Sequence, residues 1–379
     1  MPGGLPRADY LTPEPEGLID RWKAPSDTSA TYAAAVKGSV VQVLWADLQP
    51  TAGGEVVMTA PTWSGNSVLS GLTLQQRVTT ALATGELLRL RVMCGYRAPG
   101  WVKGIGGTPM SWEDSTAPGV TVGRWWHPDY IAAYAALQVK LAALFDSHVA
   151  IGDVVISGAG TIFTEPMIRQ ASETTVRTSL LSTAGETYPY SKTVDVAAIK
   201  ASIDAHDVWR HTVSSLACNP YQYVVSLASA PSSDVTTAKE LATYCRATLG
   251  RRGAIGNHSM RDNQQAAGQG GDLDAYNTLL FADLYPHMAA LGAPFYIQTD
   301  AVSRLGRIAS ATPTALTTVN GQLGGPALDQ ALHFGATCVE LPIGYNTGTA
   351  TTAFTSVSQA QAYTDALHAK PRWSGVYTA

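Results

Sequence analysis

The sequence is poor in charged residues, and this shortage limits the partners it can have. Charged residues make up 14% of the 379 residues, against about 25% in an average soluble domain, so uncharged polar side chains must complete the surface. The 25 basic and 29 acidic residues give a formal charge of −4, and no basic run is long enough to neutralise a row of phosphates. We therefore expect no nucleic-acid partner.

Cysteines are few, and they do not form a metal-binding pattern. The four cysteines, Cys94, Cys218, Cys245 and Cys338, lie far apart in the chain, and none forms a Cys-x-x-Cys pair. We interpret them as buried apolar side chains. No cysteine or histidine pair has the spacing of metal ligands, so the sequence predicts neither a catalytic metal nor another cofactor.

Long apolar runs are missing as well. No run approaches the length of a membrane span, and the N-terminal segment MPGGLPRADYLTPEPEGLIDRW lacks the apolar core of a signal peptide. The sequence thus predicts no membrane partner and no export by a signal peptide. A cytoplasmic location, or a virion for a protein of phage origin, fits these expectations. The alanine- and threonine-rich, lysine-poor composition is compatible with an actinobacterium or its phage.

What the sequence does contain is a hydrophobic fraction of 45%, arranged in short apolar runs between longer segments with helical periodicity. The runs are rich in β-branched residues, which is typical of parallel strands covered on their outer face. The sequence predicts eight strands: Gly17–Ile19, Val40–Trp45, Leu88–Met93, Asp153–Ser157, Tyr223–Ala228, Gly253–Gly256, Phe295–Thr299 and Thr337–Leu341.

Strands that alternate with helices over this length predict an α/β fold, a (β/α)8 barrel. We expect one domain over residues 1–379 with loop insertions, in which residues 1–38 lead into the barrel. Two of the predicted helices are Pro128–Phe145 and Val194–Ser215. An open doubly wound sheet is the alternative, but no glycine-rich phosphate-binding motif follows a strand.

The active site of such a barrel lies at the C-terminal ends of its strands, so polar and aromatic residues there are the candidates. Carboxylates that face one another across an aromatic-lined cavity suit glycoside hydrolysis: one protonates the leaving oxygen, and the other attacks the anomeric carbon or activates water. The candidate carboxylates are Glu165, Asp300 and Glu340, and the candidate substrate-binding residues are Trp45, Trp101, Trp126, Asn257, His258, Gln298 and Tyr345.

Each candidate also has a structural interpretation. Glu340 interrupts an apolar run, and a buried unpaired carboxylate is costly, so it either lies in the barrel mouth or forms a salt bridge, for example to Arg97 or Arg261. Asp300 could instead cap a helix, and His258 could be a hydrogen-bonded packing residue. These alternatives stay open at the level of the sequence.

At these strand ends the sequence resembles the (β/α)8 glycoside hydrolases of the clan that includes β-galactosidases and cellulases. The resemblance is carried by LWADLQPTAGG, VMCGYRAPGWV, VVISGAGTIFTEP, FYIQTDAV and GATCVELPIGY, which span most of residues 40–345. It implies a barrel that cleaves a polysaccharide or oligosaccharide, with Glu165 as the general acid/base after the fourth strand.

The sequence departs from the family pattern at several positions. Gln49 replaces the glutamate of a Glu-Pro turn, and Thr164 replaces the asparagine that precedes the acid/base in the best-known members. The family nucleophile is a glutamate at the end of the seventh strand, where this chain has Gln298 and Asp300. The second carboxylate is therefore either Glu340, as nucleophile or general base, or Asp300.

The sequence thus predicts a glycoside hydrolase whose partner is a carbohydrate, for instance a cell-wall polysaccharide. The alternative is a non-catalytic carbohydrate-binding barrel, such as an adhesion or structural component of a phage particle, which would be part of a larger assembly. The departure at the seventh strand favours the alternative, whereas a glutamate inside the apolar run of the eighth strand favours the enzyme.

Overall fold

The computed structural model describes residues 16–21, 32, 34–64, 67–229, 231–262, 280–301, 305, 313, 315–319, 322–342, 344–345, 354 and 356–370. Eight strands within these ranges form one closed parallel sheet. They are β1 (Gly17–Asp20), β2 (Val36–Leu44), β3 (Leu87–Met93), β4 (Ile151–Val155), β5 (Val213–Ala217), β6 (Gly253–Met260), β7 (Phe295–Thr299) and β8 (Cys338–Leu341).

The order of the strands identifies the fold. Each strand pairs in parallel with the next one along the chain, and β8 pairs with β1, which closes the sheet. Helices follow the strands and cover the outer face. The chain is a (β/α)8 barrel, which confirms the predicted fold class.

The helices around the barrel are α1 (Leu74–Thr84), α2 (Pro128–Phe145), α3 (Thr174–Leu181), α4 (Lys192–Asp204), α5 (Val235–Leu249), α6 (Tyr285–Ala290), α7 (Ala327–His333) and α8 (Val357–His368). Shorter helical turns are Trp45–Leu48, Gly95–Arg97, Gly100–Lys103, Ser182–Gly185, Ala205–Val208, Gly250–Arg252 and the π-helical Leu280–Leu284. Over the described ranges we find no helix with the length and hydropathy of a membrane span.

Several antiparallel strands are added to this framework. Pro61–Ser64 and Ser67–Thr73 extend the sheet from β2. Hairpins in the loops pair Met110–Trp112 with Val120–Val122, Tyr221–Tyr223 with Ser232–Asp234, and Thr317–Val319 with Gln322–Gly324.

Local sequence signals set the helix ends. Thr73 and Gln76 form a capping box at the start of α1, which ends at Gly85 in a left-handed conformation. Helix α2 begins with Pro128, whose fixed backbone angle suits the first helical position, after His127 as the cap. This helix has the bounds that its periodicity predicts.

The prediction for the fifth strand is wrong. The sequence predicts a strand over Tyr223–Ala228 and a helix that continues to Ser215, whereas α4 ends at Asp204 and the barrel strand β5 comes before Tyr223. Strand β5 lacks an apolar signature in the sequence because it contains two serines. These serines can be buried because each has a hydrogen-bond partner inside the protein. Ser214 hydrogen-bonds to His206 on the outer face, and Ser215 donates to Asp153 in the interior.

The barrel interior differs from that of most (β/α)8 barrels. Branched aliphatic side chains usually fill this space. Here a small apolar cluster that includes Ile19, Val40 and Tyr296 lies beside buried charged side chains. In β3, arginine alternates with leucine, so Arg89 and Arg91 share the inward face because strand side chains have a period of two. The interior is therefore organised by ion pairs.

The larger apolar core lies between the sheet and the helices. The four cysteines are free and buried, as the sequence predicts. One polar group in this layer is the fully buried imidazole of His206, which lies 2.8 Å from the Tyr134 hydroxyl and 3.0 Å from the Ser214 hydroxyl. Burial lowers the pKa of His206 to about 3, so the folded protein holds it neutral.

This histidine makes stability depend on pH. In the unfolded chain His206 binds a proton below its ordinary pKa of 6.5, whereas the folded protein does not bind it until about pH 3. The His206 contribution therefore falls by about 1.4 kcal/mol per pH unit as the pH drops from 6.5 towards 3. We expect His206→Gln to lack this loss, measured as the free energy of unfolding at pH 7 and pH 4.5.

The exposed His333 provides a matched control for that experiment. We expect His333→Gln to follow the wild-type pH dependence. If His206→Gln loses as much stability on acidification as the wild type does, the neutral buried imidazole is not the cause.

Candidate active site

The loop that follows β4 carries Glu165 and is anchored to the end of β3. Tyr96 donates its backbone N–H to the carbonyl of Thr161 at 3.0 Å, and the Thr161 hydroxyl donates to the carbonyl of Met167 at 3.0 Å. Gly95, with a φ of 56°, permits this close approach, because a Cβ there would lie 2.0 Å from the Thr161 carbonyl oxygen. The position of Glu165 is thus set by a packed loop.

Glu165 lies at the barrel mouth beside His258 of β6. Its Oε1 is 3.1 Å from Nδ1 of His258, whose Nε2 is 2.9 Å from the Tyr296 hydroxyl. The other oxygen, Oε2, is buried and has no hydrogen-bond partner among the described residues, although the side chain as a whole is 12% exposed. A carboxylate with one held oxygen and one free oxygen can still accept a bond from an incoming group.

The pKa of Glu165 is lowered by its neighbours. Burial alone would raise it, but the electrostatic interaction with His258, the hydrogen bond to that ring and the charge of Arg91 together lower it. Glu165 is therefore ionised at neutral pH. An ionised carboxylate can act as a base or nucleophile, whereas the resemblance implied that Glu165 starts the reaction as an acid.

The partner of His258, Tyr296, occupies the barrel interior because the neighbouring strand leaves room for it. A Cβ on Gly256 would lie 2.4 Å from the Tyr296 ring, so only glycine fits beside this ring. The guanidinium carbon of Arg89 lies over the Tyr296 ring, 4.2 Å from its centroid. The Tyr296 hydroxyl is consequently fixed where it can orient His258.

Glu340 of β8 is fully buried and ion-paired with three arginines. Its Oε1 lies 3.0 Å from Nε of Arg21, and its Oε2 lies 2.7 Å from Nη2 of Arg91 and 3.4 Å from Nη1 of Arg89. Arg89 also pairs with Asp153 at 2.9 Å. The salt bridge that the sequence allows for Glu340 is present, but its partners are not Arg97 or Arg261.

The arginines also determine the charge state of Glu340. Burial would raise the pKa of Glu340, but the charges of Arg91, Arg21 and Arg89 lower it to about 2. The carboxylate is therefore ionised at neutral pH. With 0% exposure, it has no surface at which a substrate could meet it.

Gln298 and Arg91 connect these two glutamates. Arg91 Nη2 donates to Oε1 of Gln298 at 3.0 Å as well as to Glu340, and Gln298 donates from Nε2 to the carbonyl of His258 at 3.3 Å. Gln298 therefore fills the end of β7 as a neutral spacer between the arginine cluster and His258. Gln298 is half-buried, whereas Arg91, His258 and Glu340 are buried.

Asp300 lies in a different environment, on a cleft of about 520 Å³ beside the Glu165 loop. Its backbone N–H donates to the carbonyl of Met260, which places it directly above the end of β7. The side chain is half-buried. The lining of the cleft includes Met167, Arg169, Gln170, Ser259, Arg261 and Asp300.

Four predicted substrate-binding residues are buried in the core. Trp45 is enclosed by Trp101, Tyr130 and Tyr134, and its indole N–H donates to Gln49. The others are Trp126, Tyr345 and Asn257, which donate to Tyr188, Asp20 and Cys218, respectively. A sugar ring cannot stack on side chains enclosed in this way, so direct contact with substrate does not fit these four positions.

Half-buried aromatic rings do occur at the ends of β2 and β3. Arg97 lies between the rings of Trp63 and Tyr96, with its guanidinium carbon 5.0 Å and 4.4 Å from their centroids. Trp63 donates its indole N–H to Asp47 at 3.0 Å, and the half-buried Trp101 donates to the carbonyl of Gln49 at 3.1 Å. This group is an aromatic cluster, half-buried among the described residues, close to where β2 and β3 end.

The sequence reasoning missed the arginines that surround Glu340. The signal was present, because alternation of arginine and leucine in β3 puts Arg89 and Arg91 on the face opposite the helix-covered leucines. Arg21 directly follows β1 and had no comparable signal. Ser259 of β6 and Arg169 of the loop after β4 were also missed, because residues this far apart in the chain become neighbours only when the barrel closes.

No protein-family model matches the sequence, and none of the curated proteins matches it either. Among solved structures, an endo-β-1,4-glucanase from Xanthomonas axonopodis pv. citri is similar over 93% of this chain and 94% of its own, with 13% identity and a TM-score of 0.43. Endoglycoceramidase II from a Rhodococcus species is similar over 93% and 81%, with 12% identity and a TM-score of 0.47.

A β-galactosidase from the psychrophilic Marinomonas ef1 is also similar, over 93% of this chain and 59% of its own, with 10% identity and a TM-score of 0.46. All three are glycoside hydrolases by name. At these identities the fold assignment of the chain rests on its own closed strand order. Any assignment of activity has to come from the residues at the mouth of the barrel.

Proposed function

We propose that the protein is a glycoside hydrolase that cleaves a polysaccharide or oligosaccharide, with Glu165 and Asp300 as its two carboxyl groups. The observation that carries the proposal is the state of Glu165: the side chain is ionised and partly exposed at the barrel mouth, one oxygen is held by His258, and the other, buried oxygen has no partner among the described residues. Such a group is pre-oriented to attack an anomeric carbon or to activate water.

Asp300 is the better second carboxyl group because it lines the cleft, whereas Glu340 is enclosed by arginines. In this scheme Asp300 supplies the proton for the leaving oxygen, and Glu165 acts in its ionised form. Glu340 acts indirectly, by holding Arg91 in place beside Gln298 and near Glu165. The half-buried aromatic group around Trp63 and Tyr96 would bind a sugar ring.

The second candidate is the non-catalytic carbohydrate-binding barrel. A specific observation favours it: the end of β7 presents the neutral amide of Gln298, and the carboxylate beside it, Glu340, is neutralised by three arginines. A barrel that has lost the second carboxylate of its site keeps the capacity to bind sugars. The two functions therefore differ in whether Asp300 acts as the second catalytic carboxyl group.

The first experiment is hydrolysis of a panel of plant, fungal and actinobacterial wall polysaccharides, scored as new reducing ends and, separately, as retained binding. Release of reducing ends from at least one polymer is the expected result. Binding of polymers without release of reducing ends from any of them would favour the carbohydrate-binding barrel over the enzyme. Binding to none would contradict both functions.

The pH profile of that activity tests the contact between Glu165 and His258. Removing the imidazole removes the two largest interactions that lower the pKa of Glu165 and leaves burial, which raises it, opposed only by weaker interactions such as the charge of Arg91. His258→Asn should therefore raise this pKa. We expect the acidic limb of the kcat/KM profile, which reports ionisation of Glu165, to move to higher pH.

Tyr296→Phe is the control for the same profile, because it removes the hydroxyl next to His258 and leaves the imidazole beside Glu165. Its acidic limb should stay closer to that of the wild type. An acidic limb that is unchanged in His258→Asn would show that Glu165 does not control the limb.

A further inference from the structure

The cleft beside Glu165 carries positive charge, in contrast to the chain as a whole. Arg169 and Arg261 line it together with Asp300, so its described lining residues have a net charge of +1 (two arginines minus one aspartate), whereas the chain has a formal charge of −4. Its other polar lining groups, such as Gln170 and Ser259, are neutral. The charge of the cleft therefore does not follow from the composition.

Arg169 is the most informative of these groups. Its side chain is 34% exposed, its Nε lies 3.5 Å from the buried carboxylate of Asp114, and its guanidinium lies 5.0 Å from the centroid of the Phe163 ring. Within the part of the chain that the structure describes, neither terminal nitrogen of Arg169 has a hydrogen-bond partner. These contacts hold the guanidinium by one edge and one face and leave the donors of its other edge available.

The backbone next to Arg169 is in an unusual conformation. Gln170 has a φ of 58°, in the left-handed region that non-glycine residues rarely adopt. The turn is fixed on both sides, since the N–H of Arg169 donates to the Thr161 hydroxyl and the N–H of Glu173 donates to the carbonyl of Gln170. Backbone strain of this kind is found at sites where a side chain must be held in a set direction.

We infer that the substrate is an acidic polysaccharide, whose sugars carry carboxylate or phosphate groups, and that Arg169 and Arg261 bind one such group in the cleft. The planar fork of arginine matches both kinds of oxyanion with paired hydrogen bonds. Asp300 at the same cleft then lies next to the bound sugar. The inference rests on the proposed function, because it names the class of substrate for the same site.

The test compares polymers that differ only in charge. Polygalacturonate is paired with its carboxyl-reduced product, and a phosphate-bearing bacterial wall polysaccharide is paired with its dephosphorylated product. We expect wild-type protein to bind one charged member at least about 10-fold more tightly than its neutral partner, and the preference to weaken with added salt. The pair that shows the preference identifies carboxylate or phosphate as the recognised group.

Two variants assign the effect to the cleft. Arg169→Gln and Arg261→Gln should each weaken binding of the charged polymer by about 10- to 100-fold, with little change for its neutral partner, and Arg169→Lys should restore part of the loss. Arg210→Gln, which removes an arginine that pairs with Asp207 outside the cleft, is the matched control. The fold of each variant is checked by thermal unfolding.

Because binding is measured apart from hydrolysis, the inference and the proposed function can fail separately. Equal binding of charged and neutral polymers, or undiminished preference in both cleft variants, overturns the inference and leaves hydrolysis untouched. Preferential binding of the charged polymers without release of reducing ends supports the inference and counts against the enzyme.

Discussion

Glu165→Gln should reduce kcat by about 10²- to 10⁴-fold, the range for loss of a positioned acid or base. Glutamine keeps the size of the side chain and a hydrogen-bonding oxygen for His258, but it cannot attack an anomeric carbon or take a proton. Folding and glycan binding should be retained, since the substitution removes a charge at a partly exposed position. The measurement is kcat and KM on the best polymer of the panel, together with the melting temperature.

Glu173→Gln is the matched control, because Glu173 is exposed in the same loop and does not line the cleft. It should behave as the wild type does. A folded Glu165→Gln protein with more than about a tenth of the wild-type kcat would remove Glu165 from the catalytic scheme.

The same assay distinguishes Asp300 from Glu340 as the second carboxyl group. Asp300→Asn should lower kcat without loss of stability if Asp300 donates the proton, because its side chain is half-buried on the cleft. Full activity in Asp300→Asn would return the role to Glu340. That result would require the arginine cluster to open when substrate binds.

Elements that depend on local pattern could be predicted from the sequence. Helix α2 and strand β7 have the predicted bounds, because a regular apolar period and a run of β-branched and aromatic residues report burial directly. The strand β1 was predicted as Gly17–Ile19 and is one residue longer. Strand β5 could not be found this way, since its buried serines look polar in sequence.

The candidate site was predicted less well, because its contacts join distant parts of the chain. Glu340 and Arg91 are 249 positions apart and 2.7 Å apart in space, and no periodicity reports such a pair. Exposure was a further difficulty. A tryptophan can lie in the core or on a binding surface, and its local sequence does not distinguish the two. The buried Trp45 and Trp126 therefore could not be distinguished from the half-buried Trp63 without the fold.

Glu340→Gln should destabilise the protein by about 3–5 kcal/mol, the cost of removing one partner from a buried ion pair. The substitution leaves Arg21, Arg89 and Arg91 together in the interior without their shared carboxylate. Among the described residues, only Arg89 then keeps a buried acid as an ion-pair partner, Asp153. The free energy of unfolding from denaturant titration at pH 7 measures the effect. If the loss is under about 1 kcal/mol, the cluster does not act as a buried ion network.

Glu55→Gln makes the comparison at the surface, where Glu55 is 88% exposed and pairs with Lys140 at 2.6 Å. It should change stability little, because solvent screens such a pair.

The pH dependence gives an independent check on Glu340. Since its folded pKa is lowered to about 2, its contribution is fully present above the ordinary glutamate pKa of 4.5 and is lost as the pH falls towards 2. The stability difference between wild type and Glu340→Gln should therefore shrink below pH 4.5, whereas the His206 effect begins near pH 6.5, so the two buried groups can be separated in one titration.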